Sequence, residues 1–385
     1  MNIIFYIITT LVFFTIFVLL HNYTKNEITS IVVTILCSFI VFSLIANPSN
    51  CINNALNGAK LFVYKVFPTM FPFTMLLNII IAYDGIHIYS KVFGNILCKP
   101  LKLPNKCSIV LIISSFCGYP MGAQYCCELL EKKDIDFNTA SRLINIATNC
   151  SPLFLVGTIG ESMLGSSQYG YILLISSYMA CFIMGLLLPS SNNIPSKNII
   201  LEKHVFKKQN IGKVLKNSVE NSISSSLLVL GFVTVFSVLL GTIKNTAVFS
   251  AVNQNTILSS LLLGSIEMTN GCSIVSTSAL SVDLKLMLFS FFTSFGGLCV
   301  IAQTYAYTNR YNFSLFKYIY RKIFQGVISS GITIILFRIS NYGILTINQG
   351  SYNPFTSSNI LILILILISI FPFIIYKGIK FIESF

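Results

Sequence analysis

The stretch SSFCGYPMGAQYCCELL, residues 114–130, decides the fold of this chain. It interrupts an apolar run with Gly118, Pro120 and Gly122, and then continues in a helical rhythm as far as Glu128. Irregular backbone within a membrane is tolerated only where protein or a water-filled cavity surrounds it, because lipid offers its N–H and C=O groups no hydrogen bonds. The break therefore predicts a polar cavity inside a membrane protein.

The composition of the whole chain is that of a polytopic membrane protein. Of 385 residues, 54% are hydrophobic and 10% are charged, whereas soluble domains carry roughly 25% charged residues. The net charge of +13 is spread over short loops between apolar runs, which indicates charges that set topology rather than a nucleic-acid surface. The 11 cysteines and three histidines show no metal-ligand spacing, so no metal or other cofactor is expected.

Nine apolar stretches are long enough to cross a bilayer, which takes about 20 residues. They lie near 3–20, 28–46, 61–83, 137–164, 168–189, 224–243, 284–306, 322–339 and 358–377. Two further apolar stretches, 108–130 and 256–282, are broken in the middle and are predicted to be re-entrant hairpins. With the N-terminus outside, this arrangement places 20 of the 25 Lys and Arg residues in inner loops, which is a strong positive-inside signal.

The same order of parts occurs twice along the chain. Residues 55–189 run through an amphipathic start, a span, a broken hairpin, a broken span and a plain span, and residues 212–339 repeat that order. The first unit begins outside and the second inside, so the repeats are predicted to be inverted. Interrupted helices in two inverted halves indicate the binding site of a secondary transporter.

These features divide the chain into five parts. We expect an N-terminal transmembrane hairpin, a first repeat, a basic cytoplasmic linker, a second and inverted repeat, and a C-terminal transmembrane helix, at 1–50, 51–189, 190–211, 212–339 and 340–385 respectively. The predicted fold class is an all-α polytopic membrane protein with about nine transmembrane helices and two re-entrant hairpins.

The breaks also supply the candidate binding site. A half-helix that starts inside the membrane presents unpaired N–H groups and partial positive charge, which suits a carboxylate or phosphate. Such starts are expected to follow Gly122, Pro152, Gly271 and Gly297, and the four breaks are expected to meet near the midplane; otherwise these residues only allow kinks and close helix packing. The predicted substrate-binding residues are Gly118, Tyr119, Pro120, Gly122, Asn149, Ser151, Glu267, Thr269, Asn270, Gly271, Ser294, Gly296 and Gly297.

Glu267 is the most informative single residue, because it lies among apolar residues inside a hairpin, in SIEMTNGCS. An ionisable group within the membrane is costly and marks a functional candidate. Glu267 is therefore expected to carry a proton or to contact the substrate. The alternative is a structural carboxylate that ties the hairpin to a neighbouring helix.

Three motifs carry a resemblance to a known family: GYPMGA (118–123), NCSPLFLVGTIG (149–160) and SIEMTNG (265–271). On these motifs the chain resembles the YlbJ-type sporulation integral membrane proteins, which belong to the nucleoside-recognition or Gate domain families. The resemblance spans about residues 50–340 and implies that both repeats are Gate-like. It departs at Asn149-Cys150-Ser151-Pro152, where the family usually reads N-N-x-G-P.

The resemblance implies a role in endospore formation, in the mother-cell-derived outer forespore membrane. YlbJ-type proteins are associated with moving dipicolinate toward the spore core, so the implied function is transport of a small organic anion. A nucleoside-type carrier is the alternative among transporters, and a structural or assembly protein of the spore envelope is the alternative outside them. No enzymatic activity is expected. The expected partners are the anion and the lipid bilayer but no nucleic acid, while a homo-oligomer and other sporulation membrane proteins stay open.

Overall fold

A computed structural model describes residues 45–83, 85–189, 210–245 and 247–347, with scattered positions between 31 and 42. Every regular element in these ranges is a helix, which confirms the all-α class. The predicted spans near 3–20 and 358–377, most of the span near 28–46 and most of the linker at 190–211 lie outside the described residues.

The helices of the first half end at Leu187. Helix α1 (Pro48–Leu61) continues through a π-helical turn, Phe62–Val66, into α2 (Phe67–Ala82), and α3 (Gly85–Leu97) follows. The first hairpin consists of α4 (Ser108–Cys117) and α5 (Met121–Glu131). The first broken span consists of α6 (Phe137–Ile146) and the π-helical α7 (Phe154–Met163), and α8 (Ser167–Leu187) ends this half.

The second half presents its elements in the same order. The long α9 (Ile211–Lys244) precedes the short α10 (Ala247–Val252). The second hairpin consists of α11 (Thr256–Ile266) and α12 (Met268–Thr277), and the second broken span of α13 (Val282–Phe295) and α14 (Gly297–Thr308). The long α15 (Leu315–Ile347) follows. A long helix, a short helix, a broken hairpin, a broken span and a further long helix therefore occur in each half.

Four helical stretches among the described residues are long and apolar enough to cross a membrane: Ser167–Leu187, Ile211–Lys244, Val282–Thr308 and Leu315–Ser340. The bent pair Pro48–Val66 and Met70–Ala82 makes a fifth if it is counted as one span. The stretch at 137–164, predicted as a span, is divided, because residues 147–151 between α6 and α7 are not helical.

Two element boundaries differ from the prediction in ways that matter for the site. Helix α15 begins at Leu315 and not near residue 322. The mixed polar and apolar residues 315–321 belong to the same unbroken helix as the apolar run that follows them. Lys322, which lies at the edge of the span predicted near 322–339, is therefore inside a long helix. Residues 84–107, between the span predicted near 61–83 and the first hairpin, likewise contain a helix, α3.

The two halves pack against each other through their interrupted helices. Helix α5 of the first hairpin contacts α14, and α12 of the second hairpin contacts α7, so each hairpin packs on the broken span of the other half. The apolar core follows the same pattern, since Met121 and Cys299 share one buried cluster while Leu155 and Val275 share another. Because lipid is as apolar as these side chains, close packing and interhelical hydrogen bonds hold such contacts together.

Candidate functional site

The four breaks meet around one small cavity of about 70 Å³. Tyr119 of the first hairpin, Ser151 of the first broken span and Glu267 of the second hairpin line it together with the first turn of α14. Tyr119 Oη donates a hydrogen bond to the Ser294 carbonyl oxygen at 3.0 Å. Cys150 Sγ lies 3.8 Å from Met268 Sδ. The residues at the four predicted breaks are therefore neighbours in space.

The break in the first hairpin is produced by backbone conformation. Gly118 has a φ of +76°, which glycine adopts without strain, and a Cβ at this position would lie 2.6 Å from Ser151 N. Pro120 is the N-cap of α5, and no side chain caps this helix. Helix α5 therefore starts at Met121 and not, as predicted, after Gly122. Gly122 instead allows close packing, since a Cβ there would lie 1.6 Å from the Ala147 carbonyl oxygen.

The first broken span is held by its own polar side chains. Asn149, which is buried, donates to the Ile146 carbonyl oxygen at 3.2 Å and accepts from Cys181 Sγ of α8. Ser151 Oγ accepts from Phe154 N at 3.3 Å and so caps the restarted helix, whose first helical residue is Pro152 and not, as predicted, the residue after it. Asn149 and Ser151, both predicted to bind substrate, therefore hold the backbone of this break in place.

The break in the second hairpin is closed by Glu267, whose side chain is 5% exposed. Its carboxylate accepts from Thr269 N at 3.1 Å, from Asn270 N at 3.0 Å and from Asn270 Nδ2 at 2.9 Å. Glu267 is thus the N-cap of α12, where a negative charge also complements the helix dipole. The prediction that a helix starts after Gly271 is wrong, because α12 starts at Met268 and its first N–H groups are already bonded to a carboxylate.

Gly271 has a packing role similar to that of Gly122. It lies in the first turn of α12, and a Cβ there would be 2.4 Å from Gly264 Cα. Close approach of α11 and α12 therefore requires glycine at this position. Beside it, Asn270 Oδ1 accepts a hydrogen bond from Lys244 Nζ at 3.3 Å, which ties the hairpin to the end of α9.

The second broken span turns on two glycines. Gly296 and Gly297 have φ values of +83° and +74°, and α14 begins at Gly297 without a side-chain cap. Ser294, just before the turn, is fully buried, and its hydroxyl has no hydrogen-bond partner in the described part of the chain. Helix α14 therefore starts without a side-chain cap, close to a hydroxyl that has no partner among the described residues.

Lys322 is the residue that sequence reasoning missed. Its side chain is 1% exposed, and its ammonium donates to the Thr148 carbonyl oxygen at 2.6 Å and to Gln325 Oε1 at 3.0 Å. The ammonium also lies 5.3 Å from the centre of the Tyr119 ring. No carboxylate of the described residues forms an ion pair with it.

A sequence signal for Lys322 did exist. Gln325 follows it three residues later inside an apolar run, and that spacing places two polar side chains on one helix face. In the structure, Gln325 Nε2 donates to Cys181 Sγ at 2.8 Å, and Tyr318 Oη donates to Thr148 Oγ1 at 3.0 Å. One polar row of α15 is therefore bound to the first broken span through Thr148 and to α8 through Cys181.

Arg142 is the other buried cation among the described residues. Neither Arg142 nor the cysteines form a second site like the one around Lys322. Arg142 donates to the carbonyl oxygens of Lys102 and Gly185 and so joins helix ends. Within the described ranges, no group of three or more His, Cys, Asp or Glu residues is arranged to hold a metal ion.

Comparison with known proteins identifies one relative. The chain is 22% identical, over 342 residues, to the sporulation integral membrane protein YlbJ of Bacillus subtilis (strain 168), and the alignment covers 81% of this chain and 84% of the relative. No family model and no solved structure matches the chain. The similarity confirms the resemblance carried by the three motifs and supports a YlbJ-type assignment: the chain is a multi-pass integral membrane protein similar to a protein of sporulation.

Proposed function

We propose that the protein transports a small organic anion across a membrane during endospore formation, and that dipicolinate is this anion. The observation that carries the proposal is Lys322, a buried cation without a carboxylate partner in the described residues, held between the first broken span and Tyr119 of the first hairpin.

The energetics of Lys322 favour a functional role over a structural one. Burying a lone ammonium costs several kcal/mol even after the protein relaxes, and a charge within a membrane protein is therefore a functional candidate. The Thr148 carbonyl, the Gln325 amide oxygen and the Tyr119 ring all stabilise a cation. None of them neutralises it, so an anionic substrate would supply the missing charge.

The surroundings also suit a second carboxylate. The uncapped start of α14 and the unpaired hydroxyl of Ser294 are reached from Lys322 through Tyr119, whose hydroxyl is bonded to the Ser294 carbonyl oxygen. A helix start of this kind favours negative charge. Two separate anion-binding features near one aromatic ring fit a planar dianion better than a neutral nucleoside, which needs no lone cation.

The test is transport by the purified protein in liposomes that contain terbium, since dipicolinate chelates terbium and sensitises its luminescence. We expect wild-type protein to give saturable uptake of external dipicolinate. We expect Lys322→Met to lower the maximal rate at least tenfold, which corresponds to about 1.4 kcal/mol or more. Thermal unfolding should change little, because methionine fills a similar volume and replacing a buried charge by an apolar group is often neutral or stabilising.

The matched control is Lys213→Met, which removes an exposed lysine at the start of α9 and should transport at the wild-type rate. Full activity of Lys322→Met would remove the cation from the mechanism. Uptake of nucleosides without uptake of dipicolinate would favour the nucleoside carrier. Uptake of neither solute by folded protein would favour the structural or assembly role.

A further inference from the structure

A second and larger cavity, of about 240 Å³, lies between the start of α6, the end of α14 and the start of α15. We call it the vestibule. It is lined by Phe137, Asn138, Ser141, Ile144, Asn145, Thr304, Tyr305, Thr308, Asn312, Phe313, Ser314, Leu315, Lys317, Tyr318 and Arg321. On the orientation predicted from the distribution of Lys and Arg, the loops at its rim face the cytoplasm.

The charged residues that line the vestibule are all basic. Lys317 and Arg321 line it, whereas none of its lining residues is acidic. Neither cation forms an ion pair within the described residues. The acidic residues that precede Phe137 have other partners, since Asp136 caps α6 by accepting from Asn138 N at 3.2 Å and Asp134 is paired with Lys106. Two uncompensated cations over a concave polar surface raise the local concentration of anions.

The vestibule is linked to Lys322 by two residues. Tyr318 lines the vestibule and donates to Thr148 Oγ1 at 3.0 Å, and the carbonyl oxygen of the same threonine accepts from Lys322 at 2.6 Å. On α15, Lys317 and Arg321 are four residues apart, as are Tyr318 and Lys322, so the two pairs form adjacent rows of one helix. The row of Lys317 and Arg321, which lines the vestibule, therefore runs beside the row of Tyr318 and Lys322, which contacts Thr148 in the first broken span.

Aromatic rings also line the vestibule, beside the two cations. The rings of Phe137 and Phe313 are stacked, with centroids 4.8 Å apart and planes at 22°, and Tyr305 is half exposed at the same cavity. Flat apolar rings beside two cations suit a ligand that is itself planar and carries carboxylates. Amide and hydroxyl groups such as Asn138 and Ser141 supply further hydrogen bonds.

We propose that the vestibule is a separate binding site for a small planar dicarboxylate, where Lys317 and Arg321 hold the anion before it moves to Lys322. The proposal rests on the proposed function. Because Lys322 is 1% exposed, an anion cannot reach it directly from solvent, and a site at the vestibule supplies the first station on its path.

Binding can be measured apart from transport because the chain contains no tryptophan. Tyr305→Trp places one fluorescent reporter at the vestibule. We expect dipicolinate to quench it saturably in detergent-solubilised protein, and uncharged pyridine-2,6-dicarboxamide to have no effect. The double change Lys317→Gln and Arg321→Gln should raise the apparent Kd about tenfold, the effect of losing roughly one charge-assisted hydrogen bond. The matched control, Lys213→Gln with Lys216→Gln, removes two exposed charges from α9 and should leave the Kd unchanged.

Transport measurements distinguish the role of the vestibule from that of Lys322. With thermal unfolding showing that each variant is folded, the vestibule double variant should raise the KM for dipicolinate about tenfold at an unchanged maximal rate. Lys322→Met should lower the maximal rate at least tenfold but keep the Kd at the reporter within about twofold. If wild-type protein transports dipicolinate but the vestibule variant leaves Kd and KM unchanged, the vestibule proposal falls and the proposed function stands. Equal quenching by the dicarboxamide also overturns the vestibule proposal. Binding at the reporter without any transport would instead overturn the proposed function.

Discussion

The two hairpin breaks hold matching places in the order of elements but are built from opposite chemistry. In the first, Gly118 turns the backbone at a φ of +76° and α5 starts without a side-chain cap. The buried ammonium of Lys322 lies 5.3 Å from the ring of the neighbouring Tyr119. In the second, the extended Glu267 places a carboxylate on the first N–H groups of α12. Matching breaks therefore do not make matching sites.

The difference assigns distinct roles to the two hairpins. The N-terminus of α12 is bonded to its own carboxylate, so it offers an anion little. The first hairpin lies beside the unneutralised cation and, through Tyr119, beside the uncapped start of α14. We therefore expect an anionic substrate to bind on the side of the first hairpin, with the second hairpin acting mainly as a packed and capped support.

The largest effect is expected from filling the closest glycine contact. Gly122→Val would push a Cβ to 1.6 Å from the Ala147 carbonyl oxygen, a backbone atom that cannot move aside as a side-chain end can. The cost should exceed the roughly 1–3 kcal/mol of ordinary overpacking, and we expect almost no monodisperse protein by size-exclusion chromatography. Gly271→Val, whose Cβ would lie 2.4 Å from Gly264 Cα, should fail less completely.

Gly231→Val is the control for both glycine variants, because no atom lies within 4 Å of a Cβ built on this exposed residue of α9. It should give the wild-type yield. A wild-type yield of Gly122→Val would show that α5 does not pack on the end of α6 as described.

An intermediate effect is expected from the cap of the second hairpin. In Glu267→Gln, one of the two accepting oxygens becomes an NH₂ group that faces backbone N–H donors. The loss should be of the size of an N-cap, about 0.5–2 kcal/mol, measured as a lower midpoint in thermal or denaturant unfolding. Transport per folded molecule should stay within about threefold of wild type. A collapse of transport at unchanged stability would make Glu267 a coupling or substrate group and reverse the roles of the two hairpins.

The smallest effect is expected from Ser294→Ala. Because the buried hydroxyl has no partner within the described residues, its removal should change the unfolding free energy by no more than about 0.5 kcal/mol. If the hydroxyl contacts the anion, the KM for dipicolinate should rise about two- to fivefold. Ser294→Cys, which keeps a weak donor, should lie between the two. An unchanged KM in Ser294→Ala would leave the hydroxyl without a role in binding.

The sequence predicted where the backbone breaks because local residue types govern it. Gly118, Pro120, Pro152 and the pair Gly296-Gly297 disfavour a continuous helix wherever they occur, and three of the four breaks lie at or next to them, the exception being the break at Glu267. It could not predict which helix ends are available to a ligand, because that depends on side-chain direction. Glu267 could reach a neighbouring helix or its own N–H groups, and only its extended backbone selects the second.

Lys322 marks the other limit of sequence reasoning. A lysine at the edge of an apolar run is normally a loop or interface charge, and the spacing of Lys322 and Gln325 indicates a shared helix face but not that this face is buried. Its position follows from where α15 starts and from the packing of that helix on α8 and α13, which brings it to a carbonyl oxygen in the distant first broken span.

The sequence alone therefore determined the all-helical membrane class and the breaks at Gly118–Pro120, Pro152 and Gly296-Gly297, since composition and local conformational preference act over a few residues. Only the tertiary structure decided that the four breaks adjoin one cavity, that Glu267 occupies the start of its own helix, and that Lys322 is buried beside Tyr119 without an ion-pair partner in the described residues. The contacts around the cavity and Lys322 join residues up to 175 positions apart, and such contacts arise from packing, which no short stretch of sequence encodes. The cap formed by Glu267 spans only two or three residues, but its direction depends on the backbone conformation of Glu267 itself.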